Sequence, residues 1–481
     1  MQQASTAVPA GPGAVTTVRQ PELLLADYHF DVPLDHKAPE GELIRLYARE
    51  VVAAGKTAAQ RERLPWLLYL QGGPGSGADR PVGRSGWLDR ALDEYRVLLL
   101  DQRGTGRSTP ANRQTLPLRG GPEEQAEYLS HFRADAIVRD CELIRRRLIG
   151  DRPWTVLGQS FGGFCAVTYL SHAPEGLDSV LLAGGLPAID SGIDTDAVYR
   201  TAYPRMERKT LAHYARYPDD EATVRALVRH LTDHEEVLTD GTLLTVPALQ
   251  QLGFLLGTGY GSHQLHYLLE DAFVPTADGP RLSDTFRERM AAVLSRAANP
   301  LFTLLLESIY AQDGRATGWA AERVRAEFPA FDAGKALAED HPVLLTGETA
   351  HPWMLDTNAA LRPLRRTAEL LAERTGWGPL YDTERLARNT VPVAAVIYHD
   401  DLYVDTAHSL ATARSIRGLR TWVTDEFEHD GIRAGGRRVL DRLLWLVRDG
   451  RGEGVGAGHG CPVSDFLATS LIPIAPAPRT P

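Results

Sequence analysis

Cysteine is scarce: the 481-residue chain has three, Cys141, Cys165 and Cys461. An odd, sparse set builds no disulfide framework, so the sequence predicts a reducing, cytoplasmic setting. The first residues, MQQASTAVPAGPGAVTTV, carry neither the basic cluster nor the apolar core of a signal peptide. No apolar run approaches the roughly 18 residues of a membrane span, so no membrane partner is expected. Positive charge is not in excess, with 52 Lys and Arg against 62 Asp and Glu and a net charge of −10. Binding to a nucleic-acid backbone needs clustered Lys and Arg, and this balance argues against it. The zinc-protease pattern H-E-x-x-H is missing. His263 and His266, in HQLH, have no acidic neighbour at metal-ligand spacing. No metal and no other cofactor is expected. Internal repeats are absent, and the oligomeric state is not legible.

What is present is an ordinary globular composition, 43% hydrophobic, with ample material for a large core. Residues 1–22, rich in Ala, Gly, Pro and Thr, are expected to be disordered. The tail, 450–481, is Gly-rich and then Pro-rich and is expected to be loosely ordered. Between them run short apolar segments that read as strands: 64–73, 95–104, 153–159, 177–185, 391–401 and 419–428. Stretches such as VLLL and VLLA do not alternate with polar residues, which suits strands buried on both faces of a parallel sheet. Helical spacing marks 126–150, 161–174 and 405–416. The alternation predicts an α/β fold, a mostly parallel sheet flanked by helices. Its first part spans 23–189 and its second 386–449. From 190 to 385 the spacing is helical and strand-like runs are few, so a large helical cap domain is expected there. In it, TLLTVPALQQLGFLLGTGY, GSHQLHYLLEDAF and NPLFTLLLESIYAQ read as buried helices.

Chemistry concentrates in VLGQSFGGF, 156–164. Gly158-Gln159-Ser160-Phe161-Gly162 fits G-x-S-x-G, with a strand pattern before it and a helix pattern after. In a nucleophile elbow the serine occupies a tight strand-to-helix turn, and glycines flank it because side chains would collide. The turn exposes the hydroxyl and offers the Phe161 N–H to an oxyanion. A base and an acid should follow in chain order. Of His408, His429 and His459, only His429 sits in a loop after a strand-like run, with Gly431 permitting a turn. His399-Asp400-Asp401 closes a strand at its carboxyl end, where open parallel sheets gather their sites. Either aspartate can orient the histidine, and Asp401 is favoured. A second glycine cluster, Gln71-Gly72-Gly73-Pro74-Gly75, suits a second oxyanion donor at Gly73. DQRGTGRS, 101–108, lacks the Gly-Lys-Ser/Thr ending of a phosphate loop and reads as a structural turn.

Taken together, FDVPLDH (30–36), LQGGPGSG (70–77), DQRGTGRS, GQSFGGFC (158–165), YHDDLYVD (398–405) and EHDGIR (428–433) resemble the prolyl aminopeptidase, or proline iminopeptidase, family of α/β-hydrolase serine peptidases. The longer bacterial members with a large helical cap are the most similar. Gln71 stands where the family usually has histidine, and the acid motif departs from Gly-Arg-Tyr-Asp. The resemblance implies removal of an N-terminal residue, preferentially proline, from a peptide with a free N-terminus, through Ser160, His429 and Asp401. It also implies carboxylates that read the substrate ammonium. Glu307, in LLLESIYAQ, looks like the family's Glu-Asn-His-Tyr-Phe glutamate. Glu270 is a second candidate carboxylate, and Tyr310 a candidate wall for a proline ring. Another α/β-hydrolase activity, on esters, amides or other N-terminal residues, and a non-catalytic binding protein of the same fold remain as alternatives.

Overall fold

Apolar runs without alternation form strands covered on both faces. The computed structural model describes residues 16–190 and 193–450, and such runs form the parallel centre of its nine-stranded sheet. At one edge β1 (Thr16–Arg19), β2 (Leu23–Pro33) and β3 (Leu43–Ala53) make an antiparallel meander. Then come β4 (Trp66–Leu70), β5 (Arg96–Asp101), β6 (Trp154–Gln159), β7 (Leu177–Ala183), β8 (Val393–Tyr398) and β9 (Leu419–Thr424). These six run parallel to one another, in the spatial order β1-β2-β3-β5-β4-β6-β7-β8-β9. The chain leaves β4 toward one face of the sheet and its neighbour β6 toward the other, so the loops after them diverge. They leave a crevice at the carboxyl ends of the central strands.

Alternate residues of each central strand feed two cores. Leu68, Leu70, Val156 and Val180 pack on the face that carries α2 (Ala134–Ile149) and α3 (Phe161–His172). Leu67, Tyr69, Leu157 and Leu181 pack on the other, against α1 (Gly86–Glu94) and α6 (Arg437–Gly450). Between β7 and β8 the chain is mostly helical, beginning with the long α4 (Thr195–Arg216). Its apolar residues join the core under α2 and α3. After β8 the chain returns through α5 (Thr406–Ser415).

Several expectations change. Thr16–Arg19, inside the segment expected to be disordered, pairs with Leu24–Asp27. Its β-branched Thr-Thr-Val run suits an edge strand. Residues 1–15 and 451–481 lie outside the described residues, and with them the remaining expectations for the two ends. The single helix read over 126–150 is two, Pro122–Ser130 and α2. Between them Arg133 is buried, extended (φ −87°, ψ 176°), and bonded to the Ala311 and Gly378 carbonyls of the helical insert. In the insert, GSHQLHYLLEDAF holds one helix, Gly261–Glu270, as read, but the other two apolar runs form only short pieces: Val246–Gln250, Gln251–Gly257 and Pro300–Leu305. Two small hairpins also interrupt it.

The turn 101–108 is spent on the protein itself. Asp101 accepts from the Ala78 and Arg107 N–H groups at 3.0 and 2.8 Å and pairs with Arg80. Arg103 is fully buried, 2.6 Å from Asp140, and donates to the Pro33, Leu34 and His131 carbonyls. The segment thereby ties β2 and α2 to the end of β5.

Candidate active site

The site begins at one strained residue. Ser160 follows β6 with φ 52° and ψ −125°, a left-handed φ that only surrounding structure can hold in a non-glycine residue. The packing that holds it is visible at Gly162. A Cβ there would lie 2.0 Å from the Leu70 carbonyl oxygen of β4, so α3 starts directly against the neighbouring strand. The Ser160 N–H donates to the Ala183 carbonyl at 3.0 Å. Phe161 opens α3, and a helix leaves its first N–H groups unused within the helix.

Asp401 lies just past β8, 2% exposed. Its Oδ2 is 2.8 Å from His429 Nδ1. Its Oδ1 accepts from the Tyr403 and Val404 N–H groups at 2.9 and 3.0 Å, so the carboxylate is fixed at both oxygens. Asp400 is exposed and lies 3.2 Å from His399. The geometry therefore gives His429 an aspartate partner in Asp401, not Asp400. With Nδ1 donating to Asp401, Nε2 is left as an acceptor. Burial pulls the His429 imidazole toward neutrality. The charge and hydrogen bond of Asp401 outweigh that and raise its pKa above the ordinary 6.5. The insert steadies the histidine as well. The His429 N–H donates to the Gly257 carbonyl at 3.1 Å. The Tyr403 ring meets the imidazole edge-on at 4.8 Å, and its hydroxyl bonds the Phe254 carbonyl.

Ser160 and His429 open onto one cavity of about 370 Å³ at the carboxyl ends of the strands. The loop after β4 forms one side. Gly73, with φ +128°, lines it, and Gly72 abuts the serine, its added Cβ falling 2.8 Å from Ser160 Cβ. Gln71, at the family's histidine position, also lines it and is held by the Tyr69 hydroxyl at 2.7 Å. The insert forms the other side through Phe254, Arg296, Phe302 and Glu348.

Glu348 is the residue that sequence reasoning missed. It makes no hydrogen bond or ion pair within the described residues. Burial pushes its carboxyl up to about 7, against the opposing pull of His429. It sits in LLTGETAH, an irregular segment, and lacks the likeness to the family's glutamate motif that singled out Glu307. Arg296, Phe254 and Tyr403 were also missed, and nothing local to their segments marks them.

The candidates from the insert fare differently. Glu307 is buried but does not line the cavity. Its Oε1 accepts from the Ala321 N–H at 2.9 Å, and its Oε2 has no partner. Burial, only partly offset by the Ala321 and Ala320 N–H groups, raises it to about 7. Tyr310 is also off the cavity wall, edge-on to Phe164 at 5.6 Å. Burial, with the Glu348 charge next, pushes its hydroxyl up. Both lie near the site: the buried Tyr199 hydroxyl feels Glu307, Tyr310 and Glu348 together. Glu270 does not. It is exposed, 3.3 Å from His266, on the solvent side of a helix whose Leu265, Leu268 and Leu269 are buried. His266 itself meets Asp220 at 3.0 Å, an acidic partner distant in sequence. Among the described residues no group of three or more His, Cys, Asp or Glu side chains is arranged to hold a metal.

Comparison with known proteins follows the same line. Residues 65–237 match the α/β hydrolase fold family. A proline iminopeptidase from Aeromonas sobria is 48% identical over 426 residues, 88% of this chain and 96% of that one. A proline iminopeptidase from Aspergillus aculeatus is 35% identical over 452 residues, 91% of this chain and 95% of that one. A solved proline iminopeptidase-related protein from Thermus thermophilus aligns over 88% of this chain and 98% of its own at 15% identity, with a TM-score of 0.36. The assignment rests on the first two relatives. The chain belongs to the proline iminopeptidase family and has an α/β-hydrolase fold.

Proposed function

We propose that the protein is a serine aminopeptidase that releases an N-terminal residue, preferentially proline, from peptides with a free amino terminus. The observation that carries the reading is the Asp401–His429 pair, which opens with Ser160 onto a cavity that also holds the unpaired Glu348. His429, oriented by Asp401, takes the Ser160 proton as Oγ attacks the carbonyl of the first residue. The Phe161 and Gly73 N–H groups hold the oxyanion. His429 returns the proton to the leaving amine. Water, deprotonated by the same imidazole, then cleaves the acyl-enzyme and frees the amino acid.

The substrate ammonium is held by Glu348, with Glu307 behind it and Tyr310 beside them. An ammonium next to a carboxylate poised near 7 keeps that carboxylate ionised, and the pair is strong where water is excluded. We assign 190–385 as the cap domain that brings these groups to the site. We place the enzyme in the cytoplasm, with peptide and no nucleic acid or membrane as its partner. The free, buried state of Cys141 and Cys165 supports that setting.

The test is hydrolysis of Pro-β-naphthylamide beside N-acetyl-Pro-β-naphthylamide, Ala-β-naphthylamide and a p-nitrophenyl ester. The free prolyl amide is expected to be cleaved, faster than the alanyl amide, and the acetylated one spared. Cleavage of the ester alone would leave a hydrolase and remove the aminopeptidase.

A further inference from the structure

Among the described residues Arg296 is a cation with no anion. It lies in the loop between the helices Asp284–Leu294 and Pro300–Leu305 and lines the same cavity as Ser160. Its Nη1 donates to the Ser295 and Val293 carbonyls at 3.0 and 3.4 Å, and the guanidinium lies 5.3 Å from the Phe302 ring centre. Its Nε is sealed from solvent and unpartnered. Burial alone lowers its pKa to about 10, with no neighbouring charge entering, so it remains a cation at neutral pH. A guanidinium in such a place ordinarily has a carboxylate. The other arginine of the cavity does have one: Arg433 lies 3.7 Å from Asp79. Glu348, in the same cavity, neither pairs with Arg296 nor adds to its charge environment. The cavity lining therefore holds a carboxylate and a guanidinium that no ion pair among the described residues satisfies, besides Asp430, whose Oδ1 accepts from the Gly259 N–H at 3.0 Å.

A short peptide carries the complementary pair, an ammonium at one end and a carboxylate at the other, about 3.3–3.6 Å of extended chain per residue apart. We propose that Arg296 is a subsite for the free α-carboxylate of a short peptide, so that the enzyme prefers dipeptides with a free C-terminus over longer or amidated ones. The inference rests on the aminopeptidase reading, since it needs the ammonium at Glu348 to fix which end of the peptide faces Arg296. With Nη1 bonded to the two carbonyls and Nε sealed, Nη2 is the donor left to meet a carboxylate, in a charge-assisted bond beside the Phe302 ring.

The experiment compares kcat/KM for Pro-Ala and Pro-Ala-amide in the wild-type enzyme and in Arg296→Gln and Arg296→Lys. The two substrates differ only at the carboxylate, so their ratio reads the subsite and cancels any general loss of active protein. A wild-type ratio of about tenfold or more is expected. Arg296→Gln should bring it near one, and Arg296→Lys should restore part of it. Added salt should lower the wild-type ratio and leave the Gln variant's unchanged. A wild-type ratio near one, or a ratio that survives in Arg296→Gln, would overturn the subsite. If Arg296→Gln does not fold, the wild-type ratio and the lysine variant still decide. Pro-β-naphthylamide, which has no carboxylate, separates the two readings. If the wild type cleaves it and the ratio is one, only the subsite fails. If the wild type cleaves none of the three, the aminopeptidase reading fails and takes the subsite with it.

Discussion

At the residue scale the proposed chemistry hangs on three side chains whose surroundings differ. Ser160→Ala is expected to lower kcat by about 10⁴-fold or more, read with Pro-β-naphthylamide. Asp401→Asn should cost about 10²–10⁴-fold, because the amide no longer selects the tautomer that leaves Nε2 free, while exposed Asp400→Asn stays within a factor of about two. His429 acts neutral. Its pKa is raised above 6.5, so kcat/KM falls as the pH drops through that raised value, and Asp401→Asn moves this acid limb to lower pH. In the proposed ammonium site Glu348 acts ionised. Its carboxyl near 7 predicts that KM rises as the pH falls below about 7, and that Glu348→Gln raises KM at pH 8 by about tenfold. Much of this was legible. An elbow needs its glycines next to its serine in sequence, chain order leaves three histidines, and a place in a loop after a strand-like run narrows them to one. Glu348 was not, because a buried acid in an irregular loop is defined by what folds around it. Glu270 was misread for a related reason: LLE looks buried along the chain, but one step of a helix turns about 100° and puts the acid outside.

At the element scale, close approach does the positioning. Gly162→Ala drives a methyl into the Leu70 carbonyl of β4, backbone that cannot swing aside. A loss of at least about 3 kcal/mol is expected from the denaturation midpoint. Asp140→Ala strands the buried Arg103 guanidinium between β2 and α2 and should cost about 3–5 kcal/mol in the same assay. The Glu307 carboxylate, which accepts from the first turn of the short helix Ala320–Arg325, predicts a pH effect on stability. The folded carboxyl keeps its proton to about 7, whereas the unfolded one loses it near 4.5. The stability it contributes is whole below 4.5 and is lost as the pH rises to about 7, roughly 3 kcal/mol in all. Glu307→Gln should flatten that stretch of the curve. Elements of the sheet were readable because continuous apolar runs have one common use. The short helices of the insert were not, because the same apolar richness serves a broken chain as well as a long helix.

At the scale of the molecule, insert and sheet are bound at the site itself. Arg205 of α4 pairs with Asp405, Lys209 lies 2.5 Å from Glu428, and Gly257 and Phe254 accept bonds from His429 and Tyr403. Heat should therefore remove activity and near-ultraviolet dichroism in one transition, and two separated transitions would contradict this coupling. The strand alternation predicted a sheet with a long helical interruption, but nothing in the sequence says which residues of the interruption touch the sheet, because those contacts join positions about 150 or more residues apart.

The bond from His429 to the Gly257 carbonyl has a further consequence. A roof nailed to the hand that works beneath it cannot be lifted while the hand keeps its grip. On the proposed reading a loose thread end should enter and a knot should not, so folded proteins whose first residues are tucked into their own structure are expected to be spared, which amino-acid release from a native and an unfolded protein would check.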